Sequence, residues 1–199
     1  MQTKDHLQFG RYLAEIFAID EGPRKMAFIL GNIMPDINKF SYIRGYVQLR
    51  RSCTSRPSFT QRRRMLIGGH TAEGSCKYVN HMYYKQCKKQ KLYLWDYYRI
   101  GKALHYLADR FTYPHTMAYE EGFFSHVAYE KELHLAFSDL LRSVGNVRYR
   151  VTTCFRHIDF CALYMAYRRS KASVENDCAY ILAACTAYLE NIFEHARPA

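Results

Sequence analysis

The chain has 199 residues, of which 49% are hydrophobic and 24% are charged, and its 29 lysines and arginines against 18 acids give a formal net charge of +11. This length and composition suit one globular domain and exclude an intrinsically disordered chain, a collagen-like repeat and a low-complexity linker. The positive excess favours an anionic partner: a phosphate ester, a nucleic acid or an anionic membrane surface.

Helical periodicity begins close to the N-terminus. Apolar residues recur on one broad face between residues 7 and 19 and predict a first helix. Pro23 is typical of the first turn of a helix, and it predicts a short second helix that ends at Leu30. The segment 33–60 contains Pro35 and has no sustained period, so we expect it to be irregular.

The second half of the chain has the strongest helical pattern, over residues 95–111. Further helices are predicted over residues 123–143, 155–169 and 174–195, with a break at 170–173. Alternation typical of strands is short everywhere. We therefore predict an all-α fold in which residues 1–199 form a single multi-helix domain, with the candidate site within residues 6–130 and motif-free helices in residues 150–199.

The sequence also has features that bear on location in the cell. No apolar run reaches the roughly 18 residues that a membrane span needs. The first residues lack the apolar stretch of a signal peptide, and the seven cysteines include no Cys-x-x-Cys pair. We therefore expect a soluble, cytoplasmic protein with reduced thiols.

Two histidine–carboxylate pairs at helical spacing are the distinctive feature of the chain. His105 and Asp109 are four residues apart, so both side chains can reach one metal ion from the same helix face. His126 and Glu130 repeat this spacing on the next predicted helix, and His115 lies between the pairs. One pair is often only an ion pair, but this combination favours a metal centre, and its nitrogen and oxygen donors suit zinc. The histidines without such a pattern are expected to be structural: His81, His134, His157 and His195.

The sequence resembles the zinc-dependent phospholipases C, which share their fold and metal site with the zinc-dependent single-strand nucleases. The resemblance rests on the run His105-x-x-x-Asp109-x-x-x-x-x-His115 followed by His126-x-x-x-Glu130, and upstream on residues 31–36, residues 69–71 and His6. It implies an all-α fold and two or three zinc ions. The ligands that it implies are His6, Asp36, His70, His105, Asp109, His115, His126 and Glu130.

The resemblance also implies how these ligands divide among the ions. The first zinc would be bound by Asp36, His70, His105 and Asp109, the second by His115, His126 and Glu130, and the third by His6 and Asp109. Family members begin with a tryptophan that completes the third site, whereas the only tryptophan here is Trp95. The remaining ligand of the third ion is left open among water, a backbone group and the amine of Met1.

These features predict a zinc-dependent phosphodiester hydrolase of the phospholipase C type, which uses zinc-activated water. Asp36 is predicted to be the general base, since a residue in an irregular loop is positioned for chemistry rather than for packing. The expected partners are a phospholipid or other phosphodiester substrate and an anionic membrane surface. A single-strand nuclease or nucleotidase with the same zinc site is an alternative that suits the basic charge and the many aromatic residues. A second alternative is a non-catalytic, metal-stabilised helical protein that binds a membrane or a partner.

Overall fold

A computed structural model of the chain describes residues 1–38, 72–116, 119, 123–145 and 159–198. The helices in these ranges are α1 (Thr3–Ile16), α2 (Pro23–Ile37), α3 (Ala72–Cys87), α4 (Leu94–Arg110), α5 (Phe123–Gly145), α6 (Phe160–Arg169) and α7 (Val174–His195). A 3-10 turn, Tyr113–His115, follows α4, and the two-residue strands β1 (Lys91–Leu92) and β2 (Arg197–Pro198) pair in parallel. The prediction of an all-α fold is confirmed.

Helix α4 lies at the centre of the fold, in contact with α2, α3 and α7. Its apolar side chains Ile100, Leu104 and Leu107 are fully buried. Burial of side chains of this size stabilises a fold by about 1.5–3 kcal/mol each. The same packing removes His105 and Asp109, on the C-terminal half of α4, from solvent.

Helices α2 and α4 approach each other at the level of the backbone. A Cβ atom on Gly31 of α2 would lie 2.2 Å from the carbonyl oxygen of Tyr98, and one on Gly101 of α4 would lie 2.1 Å from that of Phe28. Neither side can accept a side chain at these distances, so the contact requires glycine at both positions. It brings the last two turns of α2 next to His105.

Helix α1 packs against α2 and α5 and carries the N-terminal residues toward α4. Phe9 and Leu13 of α1 are buried, and the ring of Phe9 meets that of Phe137 in α5 edge to face at 5.0 Å. Helix α5 packs in turn against α7. These contacts hold the beginning of the chain close to the middle of its sequence.

The second helix is longer than predicted. It continues past Leu30 to Ile37, because Gly31 serves the close contact with α4 and does not end the helix. Pro35 lies in the last turn and lacks the N–H that would bond to the carbonyl of Gly31, so it removes one helical hydrogen bond without ending the helix. Asp36 is therefore on a helix, and its prediction in an irregular loop was wrong. Residues 39–60 of the predicted irregular segment lie outside the described residues.

The C-terminal helices begin at capping residues. The side chain of Asp159 accepts hydrogen bonds from the backbone N–H groups of Cys161 and Ala162 at the start of α6. The side chain of Ser173 accepts a hydrogen bond from the backbone N–H of Asn176 at the start of α7, next to the predicted break.

Helix α3 was not predicted, because its tyrosines and polar residues give only a weak amphipathic pattern.

In the described part of the chain, no helix combines the length and the apolarity of a membrane-spanning segment.

Candidate metal centre

The last two turns of α4 provide a buried histidine–carboxylate pair, as the spacing predicts. His105 Nε2 lies 3.3 Å from Asp109 Oδ2. His105 Nδ1 lies 2.7 Å from the backbone carbonyl oxygen of Asn32 in α2. A carbonyl oxygen only accepts, so Nδ1 carries the proton and donates it to Asn32. In the neutral ring this leaves the lone pair of Nε2 directed at the carboxylates, which is the arrangement of a metal-binding histidine.

Helix α1 adds His6 to this pair. His6 Nε2 lies 3.1 Å from Asp109 Oδ1, and its ring stacks on that of His105 with the ring centroids 3.8 Å apart. Burial, together with the neighbouring His105, lowers the pKa of His6 to about 3. His6 is therefore a neutral imidazole near pH 7, which is the form that binds a metal ion.

Helix α2 adds Asp36 to the same group. Asp36 Oδ1 lies 3.5 Å from His105 Nε2. Asp36 Oδ2 is buried and has no hydrogen-bond partner among the described residues. A buried carboxylate oxygen without a donor costs free energy unless a cation or a proton satisfies it. This oxygen therefore suits a metal ion or a proton as its partner.

A second group of candidate ligands lies beside the first and is more open to solvent. Glu130 Oε1 is 3.3 Å from both His115 Nε2 and His126 Nε2. Burial acts to raise the pKa of Glu130, but hydrogen bonds from the two histidines outweigh it and hold the pKa well below its ordinary value. His115 Nδ1 also lies 3.6 Å from Asp109 Oδ2, so Asp109 joins the two groups.

The amino group of Met1 lies between the two groups. Its nitrogen is 3.1 Å from Asp109 Oδ1, 3.2 Å from Glu130 Oε1 and 3.4 Å from His115 Nε2. Burial acts to lower its pKa, but Asp109 and Glu130 outweigh this and raise the pKa to about 10. The carboxylates therefore hold a positive group at this point in the structure.

The donors fit zinc in type and in spacing. In each of two sets, His6 with His105 and Asp109, and His115 with His126 and Glu130, the ligand atoms lie within 4.8 Å of one another. Neutral imidazoles and carboxylates are usual zinc ligands. Seven of the eight predicted ligands thus lie together, whereas His70 lies outside the described residues and stays a prediction.

One residue behind the site has no signal in the sequence. Asp177 of α7 accepts hydrogen bonds from the backbone N–H of Tyr113 at 2.8 Å and from the hydroxyls of Tyr129 at 2.9 Å and Tyr167 at 2.7 Å. Tyr113 begins the turn that carries His115, and Tyr129 precedes Glu130. Asp177 therefore fixes two segments that carry candidate ligands. Its partners are far away in sequence, so no local spacing could reveal it.

Another buried carboxylate, Asp5, connects α1 to α5. It accepts a hydrogen bond from His134 Nδ1 and one from the backbone N–H of Gln2 at 3.0 Å. Asp5 precedes His6, and His134 lies one turn beyond Glu130 on α5. The pair holds the N-terminal ligand close to the second group.

Comparison with known proteins gives a family match. The family model described as zinc dependent phospholipase C matches residues 5–194, which is nearly the whole chain. No curated protein and no solved structure gives a significant match.

Proposed function

The chain belongs to the zinc-dependent phospholipase C family, and from this premise we propose that it hydrolyses phosphodiester bonds in phospholipids with bound zinc. The observation that carries the proposal is the convergence around Asp109. Histidines from α1, α4 and the 3-10 turn all lie within 3.6 Å of its two carboxylate oxygens. A shared carboxylate of this kind suits adjacent metal ions.

The proposed ligand sets follow the two groups. Asp36, His105 and Asp109 would bind a first zinc, to which His70 would contribute as a further ligand, and His115, His126 and Glu130 would bind a second. His6 and Asp109 would bind a third. The Met1 nitrogen, 3.1 Å from Asp109 Oδ1, is our candidate for its open ligand position, and it would release its proton when the ion binds, because a protonated amine has no lone pair to donate. Three carboxylates only partly neutralise these ions, and the remaining positive charge would attract a phosphodiester.

Zinc bound here would act as a Lewis acid and lower the pKa of water toward 7, which provides a nucleophile at neutral pH. The protein's own contribution is to orient ligands and to accept a proton. We propose that Asp36 accepts it at Oδ2, which is buried and has no hydrogen-bond partner in the described part of the chain. Asn32 fixes the ring of His105 through Nδ1 and so keeps Nε2 directed toward Asp36 and Asp109.

The net charge of +11 favours single-stranded nucleic acid as a second candidate substrate, since such binding combines a basic surface with aromatic side chains. A substrate panel separates the two. We expect purified protein with zinc to hydrolyse phosphatidylcholine faster than single-stranded DNA. The reverse order would identify a nuclease. Zinc binding without hydrolysis of any phosphodiester would favour the non-catalytic alternative.

Substitution of Asp36 tests the proposed base. Asp36→Asn keeps an oxygen that can bind zinc but removes the group that accepts a proton, so we expect zinc content near that of the parent and activity lower by about 10²-fold or more. Asp139→Asn, an exposed carboxylate on α5 that is 75% accessible, is the matched control and should leave both unchanged. Equal rates for Asp36→Asn and the parent would exclude a catalytic role for Asp36.

A further inference from the structure

Three consecutive large side chains are exposed where α4 begins. Tyr93, Leu94 and Trp95 are 63%, 45% and 68% accessible, whereas the next residue, Asp96, is buried. The ring of Trp95 packs edge to face on that of Tyr98 at 5.8 Å, which gives the exposed indole a defined support. Consecutive exposed side chains of this size form a local apolar surface, unlike single exposed apolar residues, which are common.

The segment of chain that carries this surface is strongly basic. Residues 84–99 contain five cations and a single acid, Asp96. Asp96 is buried and is bound by Lys89, with Arg99 3.9 Å away, so it does not present a free negative charge. The exposed cations of the segment are Lys85, Lys88, Lys91 and Arg99. We call Lys91, Tyr93, Leu94, Trp95 and Arg99 together the Trp95 tip.

We propose that the Trp95 tip docks the protein on the surface of an anionic phospholipid bilayer. Tyrosine and tryptophan favour the headgroup level of a bilayer, where one part of the ring is apolar and another can form hydrogen bonds. Lysine and arginine beside them are attracted to acidic lipids. The basic charge suits both an anionic bilayer and a nucleic acid. The exposed aliphatic side chain of Leu94 favours the bilayer, because nucleic-acid bases stack on aromatic faces.

The tip is separate from the proposed zinc ligands. Trp95 and His105 are ten residues apart on α4, which corresponds to about 15 Å along the helix axis. The inference deepens the proposed function, on which it rests in part, because a phospholipid substrate is found at such a surface. The separation allows the tip to be altered without change to the metal centre.

Trp95 is the only tryptophan of the chain and therefore reports on its own environment. We expect its fluorescence to shift to the blue when the intact protein is mixed with vesicles of phosphatidylcholine and phosphatidylserine. The shift should be smaller with phosphatidylcholine alone and should weaken as salt is added. Leu94→Ala should weaken vesicle affinity by about tenfold. Met165→Ala, on α6, removes a side chain of similar exposure, 48%, and should leave the affinity unchanged.

Cosedimentation and two substrates complete the test. Trp95→Ala should lose cosedimentation with anionic vesicles and hydrolyse vesicle phospholipid more slowly, while a soluble chromogenic phosphodiester is hydrolysed at the parent rate. The proposal would be overturned if the parent showed neither the fluorescence shift nor cosedimentation with anionic vesicles. It would also be overturned if Met165→Ala lost cosedimentation to the same extent as Trp95→Ala, or if the fluorescence shifted with single-stranded DNA alone. A parent that binds anionic vesicles but hydrolyses no phosphodiester would support docking and refute the proposed function.

Discussion

Asp109 is the residue on which the candidate centre depends most. Its carboxylate is 1% accessible and touches His6, His105, His115 and the amino group of Met1. Burial acts to raise its pKa, but these positive and polar neighbours outweigh it and hold the pKa well below its ordinary value. Asp109 is therefore ionised, and a cation bound here would be strongly stabilised.

The first test at this scale is loss of the α4 ligands. Asp109→Asn and His105→Ala should each lower zinc content and reduce the free energy of unfolding of the zinc-bound protein by about 3 kcal/mol or more, because ligand binding contributes to stability and the remaining polar groups stay buried. Elemental analysis and thermal unfolding measure the two effects. His195→Ala serves as a control on α7. Full zinc content in both variants would mean that these residues are not ligands.

At the scale of elements, α7 supports the centre through Asp177. The carboxylate of this residue connects α7 to the turn of His115 and to α5. Burial raises the pKa of Asp177 to about 6, although three donors act in the opposite direction. A carboxyl group with a raised pKa in the folded state binds its proton more tightly there than in the unfolded chain. Its contribution to stability is therefore complete below the ordinary value of 3.8 and is lost as the pH rises through about 6.

Asp177→Asn removes this titration and should change the pH dependence of stability. Between about pH 4 and pH 7, the parent should lose about 2 kcal/mol of unfolding free energy relative to the variant. Urea unfolding of both proteins across this range measures the difference. Asp20→Asn, an exposed carboxylate that is 67% accessible, should keep the parent profile. Parallel profiles for parent and Asp177→Asn would contradict the raised pKa.

The contact between α2 and α4 gives a second test at this scale. Gly101→Ala places a methyl group against the carbonyl oxygen of Phe28, so the helices must separate, and we expect a loss of about 3 kcal/mol or more with lower zinc content. Gly10→Ala is the control, because its Cβ would lie 3.3 Å from the side chain of Asn32 and not against backbone. Thermal unfolding and metal analysis compare them. Equal stability of the two variants would contradict the close contact.

This contact also explains why the sequence predicted only part of the fold and of the candidate site. The periodicity of α4 and the His–x–x–x–acid spacings are local, and they predicted both the helix and the two ligand pairs. A glycine such as Gly31 locally favours the end of a helix, but the contact of Gly31 with α4 keeps α2 helical beyond this position. The contacts of Asp177 and of Asp5 join residues 64 and 129 positions apart. Such partners follow only from the packed fold.

At the scale of the whole molecule, the centre joins the N-terminus of the chain to its middle. His6 and Asp109 are the only side chains proposed for the third ion, so we expect this ion to be the weakest and the first lost on mild chelation. A tag ahead of Met1 converts its amine to an amide and should weaken this ion further, whereas the same tag after Ala199 should not. Metal content at rising chelator concentration measures the order of loss. Three equally tight ions, unaffected by the tag and by His6→Ala, would contradict this assignment.

The packing of α1 against α5 has a consequence for biosynthesis. Ribosomes add about 5–20 residues per second, and roughly 120 residues separate His6 from Glu130, so His6 is synthesised on the order of ten seconds before Glu130. During that time α1 lacks its partner surface on α5 and the buried site of Asp109. We therefore expect the proposed metal centre to form late in the synthesis of each molecule, after both His6 and Glu130 have left the ribosome.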